Sequence, residues 1–300
     1  MHANFSAVSY ALALTPAALD QLRSTLTGAG ALILGEDAVQ HEPFAVRTFD
    51  LLLTPDSAGG TGEALRSLRA ALRASGAAEG TAVVPAELRR APRKLVIMDV
   101  DSTLIQQEVI ELLAAHAGTE AQVAEVTAAA MRGELDFAAS LHARVETLAG
   151  LPESVLAEVG RKVLLSEGAE RLVRAARDGG HVVAAVSGGF RQILAPLAES
   201  LGLDHALANE LEVADGVLTG RVSGDVVDRA AKEAALRRWS AAEGIALEHT
   251  IAIGDGANDL DMLAAAGIGI AYNAKPAVRA AADAQINIAY LDAARFIAGI

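Results

Sequence analysis

The chain has 300 residues, 25 positive and 38 negative side chains, a net charge of −13, and no cysteine. At 52% hydrophobic it carries enough apolar sequence for a buried core and two domains, which excludes a disordered chain. Without thiols there are no disulfides and no thiolate metal sites, so any metal takes oxygen or nitrogen ligands, and the acidic balance argues against nucleic acid as a partner.

The first nineteen residues lack Asp, Glu, Lys and Arg, yet they have no positive n-region, so they read as a strand and not as a signal peptide. No run of roughly 18 apolar residues occurs, so no membrane helix is expected, and the chain is read as cytoplasmic. In chain order the pattern predicts a strand over Ala7–Leu14, a helix over Pro16–Ala29, strands over Ala31–Leu34 and Ala45–Leu53, a helix over Gly62–Ser75 and a strand over Thr81–Val84. Pro16 suits a first helical turn, and Gly28 and Gly30 bracket that helix's end. The order βαββαβ implies a small α+β unit over residues 1–85. Pro85–Arg93, with two prolines and three arginines, reads as a linker, set at 86–93.

From residue 94 to 300 the pattern changes. Lys94–Val100, His181–Ser187 and Thr250–Gly254 are short, nearly all-apolar runs, the mark of parallel strands buried on both faces, and Gly267–Ala271 and Gln285–Ala289 are weaker copies. Helical patterns over Gly168–Asp178, Arg191–Leu201, Ala230–Ala242 and Asp259–Ala266 alternate with them, which predicts an α/β doubly wound parallel sheet of Rossmann type. Residues 105–166 interrupt the alternation with helical sequence alone and are expected to form a helical cap insertion. Leu211–Val222 reads as a hairpin turning at Ala214–Asp215–Gly216.

Three of the apolar strands end in polar residues, at the sheet edge where open α/β sheets bind ligands. At the first, Asp99 and Asp101 lie two residues apart on an extended segment and point the same way. Paired carboxylates there suit Mg²⁺, or a nucleophile beside a proton-transfer group; the alternative is a strand-to-helix turn capped by Ser102 or Thr103. At the second, Ser187, Gly188 and Gly189 offer a hydroxyl and amides for phosphate oxygens, although a glycine turn before a helix has the same sequence. At the third, Asp255, Asn258, Asp259 and Asp261 crowd one strand end, which is costly without a cation, unless the segment is an Asx-rich turn. Lys232 precedes that loop and is placed to offset phosphate charge, where an ordinary surface lysine is the other reading.

The order acid pair, Ser-Gly, Lys, acidic loop resembles the haloacid-dehalogenase (HAD) superfamily over residues 94 to about 290, whose phosphatases share DxDx[TV], Ser/Thr, Lys and GDGxND. Within it, DVDSTLIQQEVIELLAAHAG, AMRGELDFAASLHARVETLAGL, VSGGF and IGDGANDLDML are similar to the phosphoserine phosphatase branch, and residues 1–85 are similar in outline to the ACT-like or ferredoxin-like domain of longer members. The resemblance implies Mg²⁺-dependent hydrolysis of L-phosphoserine, a small-molecule substrate, at the end of serine biosynthesis. It implies Asp99 as nucleophile and Asp101 as acid and base. The metal would sit on Asp99, Asp255 and the Asp101 backbone carbonyl, with Asp259 ordering its waters. Ser187, Gly188, Lys232 and Asn258 would hold the phosphate. Glu108 would meet the ammonium and Arg144 the carboxylate, with Met131 and Phe137 as the apolar wall of the lid. Read without the resemblance, Glu108 and Arg144 are solvated helix charges and Met131 and Phe137 ordinary core residues. Phosphatase or phosphotransferase chemistry on another small phosphomonoester, and an amino-acid-sensing binding module, are the competing readings. Residues 1–85 offer no constellation of their own, and a homodimer through them is the further partner expectation.

Overall fold

The computed structural model describes residues 3–53, 60–76, 80–132 and 134–300. The first unit runs β1 (Phe5–Ala11), α1 (Pro16–Gly28), β2 (Ala31–Val39), β3 (Ala45–Leu53), α2 (Gly60–Ser75) and β4 (Thr81–Pro85), with its four antiparallel strands in the order β2-β3-β1-β4. Leu19, Leu22 and Leu26 recur at helical spacing and form the buried stripe of α1. They pack with Leu68 of α2 onto Phe5, Ala7, Phe49 and Leu51 on one face of the sheet. Val8, Tyr10, Val46 and Val84 alternate onto the other face, which joins the main core of the chain. The Tyr10 hydroxyl crosses that boundary to the Gln285 carbonyl.

Two strand limits differ from the sequence pattern. β1 stops at Ala11, because Leu12 is 65% exposed and Thr15 already caps α1 through the Ala18 amide. β2 continues past Leu34 to Val39 across a bulge, still paired with β3. Its second half, with Glu36 and Asp37, lies on the sheet edge, where polar residues are tolerated and apolar alternation fails. Residues 86–93, expected as a linker, contain instead a short helix, α3 (Ala86–Arg90). Leu88 is 1% exposed and belongs to the main core, so the segment is packed. Pro85 and Pro92 flank the helix, where proline is tolerated; they mark its ends and not a loose tether.

The second unit begins with β5 (Leu95–Met98), followed by α4 (Val109–Ala117), α5 (Glu120–Met131), α6 (Phe137–Glu146) and α7 (Ser154–Lys162). The helical insertion leaves and re-enters the sheet layer at one place: Ile105 bridges to Leu165, and the Gln106 amide donates to the Leu164 carbonyl. Then come α8 (Ala169–Asp178), β6 (Val182–Phe190), α9 (Arg191–Leu201), β7 (His205–Ala214), β8 (Val217–Ser223) and α10 (Arg229–Ala242). The chain closes with β9 (Thr250–Gly254), α11 (Leu260–Ala265), β10 (Ile268–Tyr272), α12 (Pro276–Ala281), β11 (Ala284–Ile286) and α13 (Ala293–Ala298). The sheet order is β11-β10-β9-β5-β6-β7-β8, parallel throughout except for β8.

This is the α/β doubly wound sheet with a helical insertion, preceded by an antiparallel α+β unit. Leu95, Val96, Ile97 and Met98 are all fully buried, as a central parallel strand requires. The strand is shorter than its apolar run: the Asp99 amide still donates to the Ile253 carbonyl at 2.9 Å, and the tight turn begins at Val100. The first half of β7 was not legible: His205–Asn209 pairs with β6 and carries no apolar run. At the hairpin tip Asp215 and Gly216 have φ of 52° and 77°, the doubly left-handed turn that matches the twist of the flanking strands.

Candidate active site

The carboxyl ends of β5, β6 and β9 are adjacent, so the three polar strand ends meet at one edge. Beyond β5 the chain makes a tight helical turn over Val100–Leu104, broken at Ser102, whose φ of 55° is left-handed. That turn separates the two acids. Asp99 is 4% exposed; its Oδ1 accepts from the Val100 amide at 2.8 Å and pairs with Lys232 Nζ at 2.7 Å. Asp101 faces the insertion: Oδ1 accepts from the Val109 amide at 2.8 Å and Oδ2 from Ser187 Oγ at 3.0 Å.

Lys232 is fully buried on the first turns of α10, a helix that Asp228 caps through the Ala231 amide. Its ammonium also donates to Asp259 Oδ1 at 2.6 Å. Burial opposes that charge, but Asp99 and Asp259 outweigh it and hold the ammonium pKa above its ordinary value. The one lysine does not neutralise two buried carboxylates. Burial first, and then Asp259, push the Asp99 carboxyl well above the usual carboxylate range. Asp259 is itself fixed from the loop side, where Oδ2 accepts from the Gly256 amide at 2.9 Å.

Asp255 lies beside them, with Thr103 Oγ1 donating to its Oδ1 at 3.3 Å. Burial, then Asp259 and Glu108, raise its pKa to about 6. Carboxylate oxygens of Asp99, Asp255 and Asp259 lie within 4.8 Å of one another. Hard oxygen donors with excess buried negative charge fit a divalent cation such as Mg²⁺. The Asp101 carboxylate is not part of that group. Its own pKa is raised to about 6, by burial and then by Glu108, against the opposing Val109 amide and Ser187 hydroxyl.

Ser187 is buried, and its Oγ also accepts from the Gly189 amide at 2.7 Å. Asn209, on β7, holds this turn: Nδ2 donates to the Gly188 carbonyl and Oδ1 accepts from the Val227 amide, each at 2.8 Å. Space at the turn is tight. A Cβ on Gly189 would lie 2.6 Å from Asp101 Oδ2, and one on Gly188 would lie 2.8 Å from Phe137 Cζ. Phe137 opens α6 of the insertion, so the cap rests on the glycine turn.

Glu108 and Arg144 also come from the insertion. Ser102 Oγ donates to Glu108 Oε1 at 2.6 Å. Arg144 Nε donates to the Ser140 carbonyl at 3.2 Å, burial lowers its pKa, and the charges of Glu108, Asp101 and Glu111 oppose that shift. Asn258 is half-buried in the acidic loop. The Met131 side chain lies outside the described residues. Thr103, Asn209 and the Val109 amide were missed by sequence reasoning; Thr103 stands in the quoted motif, whereas nothing around Asn209 in the sequence marks it.

A family model described as haloacid dehalogenase-like hydrolase matches residues 96–264, more than half of the chain. A phosphoserine phosphatase of Streptomyces coelicolor is 59% identical over 235 residues, covering 78% of this chain and 57% of that protein. The chain therefore spans little more than half the length of that curated relative. A solved structure described as a probable phosphoserine phosphatase of Vibrio cholerae superposes over 99% of this chain and 87% of its own, with a TM-score of 0.75 and 33% identity. A structure described as a phospho-aspartyl intermediate analogue of phosphoserine phosphatase covers 66% of this chain and 95% of its own, with a TM-score of 0.63 and 43% identity.

Proposed function

Because the chain belongs to the haloacid dehalogenase-like hydrolase family, we propose that it hydrolyses L-phosphoserine to L-serine and phosphate through an aspartyl-phosphate. The observation that carries this reading is the separation of the two acids: Asp99 is held by Lys232, while Asp101 is turned toward the cap and Ser187. Similarity to phosphoserine phosphatases over most of the chain supports the substrate, and the phospho-aspartyl analogue supports the intermediate.

Asp99 Oδ attacks the phosphorus and the seryl C–O–P bond breaks at phosphorus. Asp101, whose pKa is raised to about 6 so that its acid form is accessible near neutral pH, delivers its proton to the departing seryl oxygen. The resulting Asp101 carboxylate then takes a proton from the water that attacks the aspartyl-phosphate, which frees Asp99 and phosphate. Ser187, the Gly188 amide, Lys232 and Asn258 bind the phosphate oxygens, and Lys232 balances charge as the bond breaks. Asp99, Asp255 and the Asp101 carbonyl would hold Mg²⁺, with Asp259 beside them, and the ion would supply electrostatic stabilisation of the transferred group.

Glu108 would meet the substrate ammonium and Arg144 its carboxylate, since guanidinium forks onto carboxylate in two bonds. Arg144→Ala is expected to lower kcat/KM for L-phosphoserine by about a hundredfold, near 2.7 kcal/mol, and that for an aryl phosphate by less than about threefold. Equal losses on both substrates remove Arg144 from recognition.

The cap must seat on the glycine turn. Gly188→Ala places a methyl group against Phe137 and is expected to cost about tenfold in kcat/KM, with Phe137→Leu restoring part of it. Steady-state rates of the single and double variants check this; an unchanged rate in Gly188→Ala contradicts the close seating.

A further inference from the structure

A cleft of about 410 Å³ lies between the two units, with α2 and β4 on one wall and α12 and β11 on the other. None of its lining residues belongs to the site described above. Three arginines line it, Arg69, Arg73 and Arg279, and among the described residues that line it Asp283 is the only acid. Asp283 is already engaged: Oδ1 pairs with Arg69, and Oδ2 accepts from the Gly269 amide at 3.2 Å. Arg69 also donates to the Val83 carbonyl, at 2.9 Å from Nη2. Arg73 spends one Nη2 bond, at 2.6 Å, on the Ala282 carbonyl. The Arg279 guanidinium has no hydrogen-bond or ion-pair partner among the described residues. The cleft is thus a concave concentration of positive charge in a chain of net charge −13. Low-dielectric walls focus such a field onto anions, and clefts of this size between domains are common ligand sites.

We propose that this cleft binds a small dianion carrying carboxylate or phosphate groups, held by Arg73 and Arg279. Arg73 comes from the first unit and Arg279 from the second, so the ligand bridges the two and binds only when they are docked. Such a ligand raises the melting temperature, because it has no equivalent site in the unfolded chain.

The test uses the full chain and two probes, sodium succinate for a dicarboxylate and sodium sulfate for a tetrahedral dianion, each against sodium chloride at equal ionic strength. A saturating probe is expected to raise Tm by about 2–4 °C. The shift should vanish in the Arg73→Gln/Arg279→Gln double variant, and in Ala280→Glu, which sets a carboxylate at the cleft without removing either arginine. It should persist in Ser187→Ala, which disables phosphate binding at the catalytic edge. A succinate response assigns a carboxylate ligand and a sulfate response a phosphate-type ligand. No shift with either probe overturns the proposal, as does one that survives the arginine replacements or disappears in Ser187→Ala.

Discussion

Asp99→Asn is expected to reduce phosphoserine turnover by about 10⁴-fold or more while leaving the fold intact. The amide is nearly isosteric and keeps an oxygen to accept from the Val100 amide, but it is not nucleophilic. Removing this charge is inexpensive for the fold because the site holds surplus buried negative charge. Lys232 retains its second partner, Asp259, at 2.6 Å. A rate assay on protein whose thermal unfolding matches the wild type checks both halves. Retained turnover above about one hundredth of the wild-type value is incompatible with Asp99 as the nucleophile.

Lys232→Met acts on stability as well as on rate. It leaves Asp99 and Asp259 buried with no cation between them. Breaking a buried ion pair by removing one partner typically costs about 3–5 kcal/mol, because the abandoned charge is what destabilises. A loss of about 3 kcal/mol or more is therefore expected in denaturant unfolding, together with loss of turnover. Adding Asp259→Asn should recover stability but not activity, since one of the two unpaired carboxylates is gone. A Lys232→Met protein as stable as the wild type would mean that the buried triad carries little net charge.

Lys232 also shows how far the sequence carries. In isolation a lysine on a helix reads as a solvated surface charge, and nothing within α10 says otherwise. Its burial follows from the strand order, which brings α10 against the ends of β5 and β9. Asp99, Asp255 and Asp259 were legible as an acidic edge, because short apolar strands ending in acids reveal both fold and site. Which acid faces which partner was not. The tight turn that begins at Val100, between the two acids, decides that Asp99 turns to Lys232 and Asp101 to Ser187. Asn209 was invisible for the same reason as β7: both sit in a segment of mixed small and polar residues, where pairing with β6 supplies the structure that periodicity does not. In the first unit the edge half of β2 and helix α3 were hidden by charge and by proline. Charge is tolerated on an exposed edge, and the prolines stand at the ends of a helix anchored by Leu88.

Phosphate release from L-phosphoserine, D-phosphoserine, phosphothreonine, phosphoglycolate and an aryl phosphate, each assayed with Mg²⁺ and with EDTA, tests the central claim most directly. The expected result is metal-dependent hydrolysis with L-phosphoserine preferred over every other substrate: phosphoglycolate and the aryl phosphate lack the ammonium that Glu108 would meet, D-phosphoserine inverts the arrangement of ammonium and carboxylate, and phosphothreonine adds a methyl group beside the scissile oxygen. Metal-dependent hydrolysis of the others without phosphoserine would contradict the substrate assignment, and no release from any of them would contradict the chemistry assigned to Asp99 and Asp101.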